Sequence, residues 1–145
     1  MESDDVPRKT SKVLVRKPGL ILPELSYQIV GALYDVYNEL GFGHQERIYQ
    51  RAIADTFRSR SIPFVEQYEV PVHFHQKKLG TYRLDFLIQD AVILEIKQGN
   101  YFRPSNIKQT LSYLKSLNKQ LAILANFTRS GVSFRRIVNA QEAHS

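Results

Sequence analysis

The amino-acid sequence predicts an α/β fold in which a mixed central sheet is flanked by helices. Three features predict it. Apolar residues recur at helical spacing over 23–40 and again over 46–60, and the period changes to that of strands from residue 64. A further helical stretch, 105–118, separates two strongly apolar segments, AVILEIK and LAILANF. A helix of that length suits a right-handed crossover between parallel strands, and the mixture implies one sheet with helices packed on it.

The elements follow in order. Residues 1–22 are polar and charged without strong periodicity and read as a mobile basic arm, in which VLV at 13–15 is a possible short edge strand. Pro23 opens the first helix, with Leu25, Ile29, Leu33, Val36, Tyr37 and Leu40 spaced by threes and fours, and Gly41 and Gly43 end it. The second helix, ERIYQRAIADTFRSR, turns Ile48, Ala52, Ile53 and Phe57 to one face, and Ser61 and Pro63 close it. FVEQYEVPVHFHQKK alternates as a strand and runs into a turn-like QKKLG, the mark of a hairpin. TYRLDFLI is the next strand, and Gln89–Asp90 turns it into AVILEIK. Ser105 is the predicted N-cap of the third helix, whose Ile107, Leu111 and Leu114 face the core. LAILANF and VSFRRIV complete the sheet. The expected organisation is therefore an arm at 1–22, one domain at 23–140 and a frayed end at 141–145.

Composition narrows the function classes. The chain has 145 residues, enough for one domain with a real core, and no cysteine, hence no disulfide framework or thiolate metal site. No apolar run approaches the ~20 residues needed to span a bilayer, and MESDDVPRKT lacks the apolar core of a signal peptide. A cytoplasmic protein without a membrane role is expected. The net charge of +6 favours anionic partners, nucleic acid above all, although five basic residues against three acidic ones in the arm supply +2 of it.

The chemistry gathers at the end of the most hydrophobic strand. In AVILEIKQ, Glu95 and Lys97 share a face because strand side chains repeat every second residue. Charge at such a place must pair, meet water or hold something. Asp85 lies on the preceding strand and falls opposite Glu95 only if Gln89–Ala91 forms a three-residue loop or one strand carries a bulge. A strict two-residue turn sends the two acids to different faces. Two carboxylates on adjacent strands make a hard-oxygen site suited to Mg²⁺ or Mn²⁺, and Lys97 would then hold a phosphate oxygen or polarise an attacking water. D-x9-E-x-K is thus a sensible set for phosphodiester hydrolysis, and equally, on its own, a surface ion pair with a solvated aspartate nearby.

GHQERIY (43–49), the D…ExK pair and QTLSY (109–113) together resemble the PD-(D/E)XK nuclease superfamily. More closely they are similar to its RecB-like branch and its GxxExxY group, whose naming motif stands here as Gly43, Glu46 and Tyr49. The resemblance covers about residues 23–138, including Asn126–Phe127, and Leu84 stands where the superfamily motif often has proline. It implies a restriction-endonuclease-like core, Asp85 and Glu95 as metal ligands, Lys97 as the residue assisting the nucleophilic water, and Glu46 completing the metal shell. Gln109 and Tyr113 match the Q-x3-Y of that branch and, four apart, share a helical face from which to contact substrate or steady the site. Tyr113 is equally readable as a packed aromatic, and Tyr49 as core.

Arg83, Arg103, Lys108 and Lys115 are the candidate phosphate contacts, the last two being two helical turns apart. His73 and His75 share a strand face at a spacing that can grip zinc, but lack a third ligand. His44 adjoins the glycine loop without a catalytic pattern. The expected function is Mg²⁺- or Mn²⁺-dependent hydrolysis of DNA. The alternative is a nucleic-acid-binding module or accessory subunit that keeps the fold without cutting. So small a chain leaves little room for a separate recognition domain, which points to a homodimer or a partner protein.

Overall fold

The computed structural model describes residues 22–139. The predicted arm, its VLV segment and the C-terminal end lie outside the described residues. The elements run α1 (Pro23–Leu40), α2 (Glu46–Ser59), β1 (Phe64–Phe74), β2 (Lys77–Ile88), β3 (Val92–Gln98), α3 (Pro104–Leu117), β4 (Leu121–Thr128) and β5 (Gly131–Val138). The five strands form one sheet in the order β1-β2-β3-β4-β5. Only β3 and β4 are parallel, joined through α3, and the other neighbours are antiparallel. The predicted mixed sheet and crossover are therefore present.

Each face of the sheet carries its own core. Val92, Leu94 and Ile96 of β3, with Leu121, Ile123, Ala125 and Phe127 of β4, pack under α1 and α2 against Ile29, Leu33, Tyr49, Ile53 and Phe57. Ile93, Ala122 and Leu124 pack on the other face with Tyr113 and Leu114 of α3. Because β3 and β4 are covered on both sides, their sequences are continuously apolar rather than alternating.

Three local expectations change. The β1–β2 hairpin turns at His75–Gln76, both at positive φ (50° and 66°), so Lys77–Gly80 of the predicted turn belong to β2. His75 consequently leaves the strand and stacks against Phe74, and His73 and His75 do not share a strand face. In α3 the cap is Arg103, two residues before Ser105, with Pro104 at the first helical position; proline's fixed φ and missing N–H suit that position.

One irregularity matters for function. Along β1 and β2 the inward–outward alternation inverts at Gln67 and Asp85. Phe64 and Phe86 pack in the α1/α2 core, whereas Tyr68, Val70 and Leu84, of the same parity, pack on the α3 side. Gln67 adopts a positive φ of 50°, and Gln67 and Asp85 are skipped in a ladder whose register is otherwise continuous around them. The sheet swivels where Asp85 stands.

Candidate active site

The β2–β3 hairpin answers the parity question. Gln89 and Asp90 both take left-handed φ (51° and 54°), and the Ala91 N–H closes onto the Ile88 carbonyl at 2.9 Å. Ala91 is an extra residue beyond this tight turn, so pairing resumes as Ile88↔Val92, Leu87↔Ile93 and Phe86↔Leu94. That register, extended by one pair, sets Asp85 opposite Glu95.

At that pair the ladder stops and the side chains replace it. The Asp85 N–H donates to Glu95 Oε2 at 2.9 Å, and the Ile96 N–H donates to Asp85 Oδ2 at 2.7 Å. Each carboxylate thus takes the place of a backbone carbonyl on the other strand. Each is left with further acceptor capacity, since an ionised carboxylate has about four lone-pair positions. On its other side β3 stays fully paired to β4 through Gln98↔Phe127, so the opening is confined to the β2 side.

Two acids so placed are electrostatically costly. Glu95 is 5 % exposed and Asp85 half-buried. Burial, then the neighbouring Asp85, raises the Glu95 pKa, with the Asp85 N–H and Lys97 opposing; burial likewise raises Asp85, with the Ile96 N–H and Lys97 opposing and Glu46 adding to the rise. A cation at the pair relieves both burial and repulsion. The Tyr113 hydroxyl is pushed up to about 12 by burial, then by Glu95, Tyr82 and Asp85. The Tyr113 ring packs in the α3-side core, 5.3 Å from that of Tyr82.

Glu46 reaches the site from α2. It occupies the first turn, where a carboxylate complements the helix dipole, and its Oε2 accepts the Gln98 N–H at 3.2 Å. The approach of α2 is fixed by the residues around it. Gly43 takes a φ of 109°, a conformation that L side chains rarely adopt, and the buried Tyr49 closes the loop: its hydroxyl donates to the Gly41 carbonyl and accepts the His44 N–H at 3.3 Å. Tyr49 also meets Phe127 edge-on at 4.3 Å between ring centres. The Gly43, Glu46, Tyr49 spacing thus has a structural reason: glycine permits the loop, tyrosine latches it, and glutamate is delivered to the end of β3. His44 bonds Leu40 O and meets Tyr49 edge-on, a structural placement.

Beside the pair opens a cleft of about 280 Å³, walled by Glu46, Lys97, Arg103, Tyr101, Asn106 and Asn126 among others. Of the four candidate phosphate contacts, only Arg103 lines it. Lys108 and Lys115 are exposed on α3, and Arg83 pairs with Glu69 at 3.4 Å on the strand face opposite Tyr82 and Leu84. Gln109 and Tyr113 lie one turn apart on the same side of α3, Gln109 exposed and Tyr113 buried. Sequence reasoning assigned no role to Tyr101 or Asn126. The signal for Asn126 was present, a lone amide inside the apolar LAILANF, directly across from Lys97 in the parallel pair. A larger hollow, at Arg58, Ser61–Phe64 and Glu66, is remote from these groups.

As to a metal, the donor chemistry of two adjoining carboxylates fits a hard divalent cation, although neither of them lines the cleft itself. Among the described residues no group of three or more His, Cys, Asp or Glu side chains is placed to hold an ion together. Glu46, expected to complete a metal shell, is thus not grouped with Asp85 and Glu95 around one ion position, and Mg²⁺ commonly completes its shell with several waters. No described helix is long and apolar enough to cross a membrane.

Comparison with known proteins agrees with this geometry. Residues 23–137 match the family described as the PD-(D/E)XK nuclease superfamily. Among solved structures, that of SSO0001 is 16% identical with a TM-score of 0.52, over 79% of this chain and 58% of that one. The chain thus spans little more than half the length of that relative, and at this identity the likeness shows the fold. An alkaline exonuclease, LHK-Exo from Laribacter hongkongensis, is 15% identical with a TM-score of 0.48, over 92% of this chain and 79% of that one. The same enzyme in complex with dAMP gives 14% and 0.49 over the same shares. No curated protein matches the sequence.

Proposed function

We propose, from the premise that this chain belongs to the PD-(D/E)XK nuclease superfamily, that it hydrolyses phosphodiester bonds of DNA with Mg²⁺ or Mn²⁺. The observation that carries the reading is the interlocked pair Asp85–Glu95, set where the β2–β3 ladder opens, with Lys97 one pleat beyond. A structural ion pair needs no such opening.

When bound, the divalent ion supplies Lewis-acid stabilisation of phosphoryl charge and lowers the pKa of water. Asp85 and Glu95 would hold it through the oxygen positions left over from their backbone partners. Lys97 extends from the same strand face into the cleft, where its ammonium attracts a phosphoryl oxygen and the attacking water. The attacking water releases a proton to solvent as its oxygen bonds to phosphorus, and the bond to the leaving ester oxygen breaks, that oxygen taking a proton from solvent. Glu46, bonded to the Gln98 N–H, fixes the cleft wall and adds negative charge toward the ion. Tyr113 closes the pair off from the α3 side and Gln109 stands at the surface of the same helix. Arg103 contributes charge for the phosphate backbone from the start of α3, with Lys108 and Lys115 further along.

Incubating the protein with plasmid and single-stranded DNA in Mg²⁺ or Mn²⁺ tests the reading. Cleavage that vanishes in EDTA and in Asp85→Ala and Lys97→Ala supports it. That no three metal-binding side chains are grouped among the described residues favours a second reading, a module that binds nucleic acid without cutting it. That reading predicts DNA binding by the wild type, no product in any divalent ion, and no calorimetric signal for metal.

A further inference from the structure

The cleft contains one group that phosphodiester chemistry does not use. Tyr101 is 70 % exposed, more than any other large hydrophobic residue of the described chain, and it stands on the same wall as Lys97 and Arg103. An aromatic ring displayed to water at the mouth of a polar cleft is an invitation to a flat partner.

Its display is built rather than incidental. The backbone is tied down on both sides of the ring. The Tyr101 carbonyl accepts a 2.7 Å bond from Asn126 Nδ2, and Asn126 itself is 1 % exposed. The next residue, Phe102, is packed against the α3-side core and carries the Arg135 guanidinium 5.4 Å from its ring centre. Upstream, the Gly99 N–H meets the Phe127 carbonyl. The loop is therefore anchored at Gly99, Tyr101 O and Phe102 while the Tyr101 side chain alone is turned outward. Asn126 also lines this cleft, and its buried Oδ1 has no hydrogen-bond partner among the described residues.

We infer that Tyr101 is a stacking platform for an unpaired base of the substrate, so that the site selects single-stranded DNA or a strand end separated from its complement. The physical reason is that every base has a π-face, but inside a duplex both faces are already covered by neighbouring pairs. A ring beside the phosphate-binding cations thus finds a free face only where the strand is unpaired. Lys97 and Arg103 take the phosphates, Tyr101 takes the base, and Asn126 is the positioning residue that holds the Tyr101 backbone. The inference rests on the nuclease reading for its consequence in cleavage, but not for binding.

Binding is measured in EDTA at low salt with two probes, a 20-nucleotide oligo(dT) and a dumbbell duplex closed at both ends by non-nucleotide linkers, so that it holds no unpaired base. Tyr101→Ala is expected to lose roughly tenfold in affinity for oligo(dT), the scale of one base–aromatic stack, and little for the dumbbell. Tyr101→Phe, which keeps the ring, retains wild-type affinity. Because the chain contains no tryptophan, Tyr101→Trp adds a single reporter, and its fluorescence is quenched by oligo(dT) and not by the dumbbell. Unchanged oligo(dT) affinity in Tyr101→Ala, or equal quenching by both probes, overturns the inference. The two proposals separate cleanly. A protein that cuts single strands and dumbbells alike, with Tyr101→Ala as active as wild type, keeps the nuclease reading and loses this one. A protein that cuts nothing but loses oligo(dT) affinity in Tyr101→Ala does the reverse.

Discussion

The two halves of β3 are built on opposite terms. From Val92 to Leu94 the strand is paired on both sides, every side chain is buried and apolar, and neighbours are met in regular register. From Glu95 to Gln98 the strand keeps β4 but parts from β2, and carboxylates supply the hydrogen bonds that a second backbone would have made. The first half is a place where hydrophobic burial dominates and the second where electrostatic cost is held in place by it. A buried pair of like charges survives at an edge of the core only because the strands that carry it are fastened elsewhere.

This contrast can be broken by mutation, and the largest effect is expected in the open half. Asp85→Ala and Lys97→Ala should lower cleavage at least about a hundredfold, measured as initial rate of nicking, while circular-dichroism melting stays cooperative. In the paired half the damage reverses: Ile93→Ala should cost about 2–5 kcal/mol of stability in urea unfolding, with activity per folded molecule retained.

Glu95→Gln tests the electrostatic side. Burial and Asp85 raise the Glu95 pKa from 4.5 to about 8. A folded value above the unfolded one means that stability is complete below pH 4.5 and is lost as pH rises through about 8. Metal-free wild type should therefore melt progressively lower over that window. Glu95→Gln, losing one buried charge, should melt higher than wild type at pH 8, match it near pH 4 and cleave nothing. Mg²⁺ or Mn²⁺ should raise the wild-type midpoint at pH 8 and leave the variant unmoved. The smallest effects concern the basic surface. Arg83→Ala breaks an exposed pair with Glu69 and should change stability by less than about 1 kcal/mol and cleavage not at all. Arg103→Ala should raise KM most at low salt and show a shallower salt dependence than wild type, since it removes a cation from the cleft wall.

Much of the fold was legible because periodicity reports burial. The helices over Pro23–Leu40 and Glu46–Ser59, the doubly covered β3 and β4 and the crossover between them follow from where apolar residues recur. Turn chemistry was harder to place. His75–Gln76 carries no glycine to mark its positive φ, so QKKLG looked the better turn. The Asp85–Glu95 meeting was legible as a condition on the Gln89–Ala91 loop, and that condition is met. Helical spacing joined Gln109 and Tyr113 on one side of α3, and it could not tell that Tyr113 alone of the two is buried. Tyr101 was silent in the sequence because an exposed aromatic and a packed one are written with the same letter.

The sequence by itself determined which segments are helix or strand, that β3 and β4 lie inside, and which acids and lysine gather near the end of β3. These depend on local period and on the parity of a short loop. Only the tertiary structure decided that the β2–β3 ladder opens at Asp85, that Glu46 bridges to Gln98, and that Asn126 holds Tyr101 beside the cleft. Those contacts join residues 10, 52 and 25 positions apart. Their formation depends on how two packed faces tilt a sheet that swivels at Gln67 and Asp85, which no local pattern encodes.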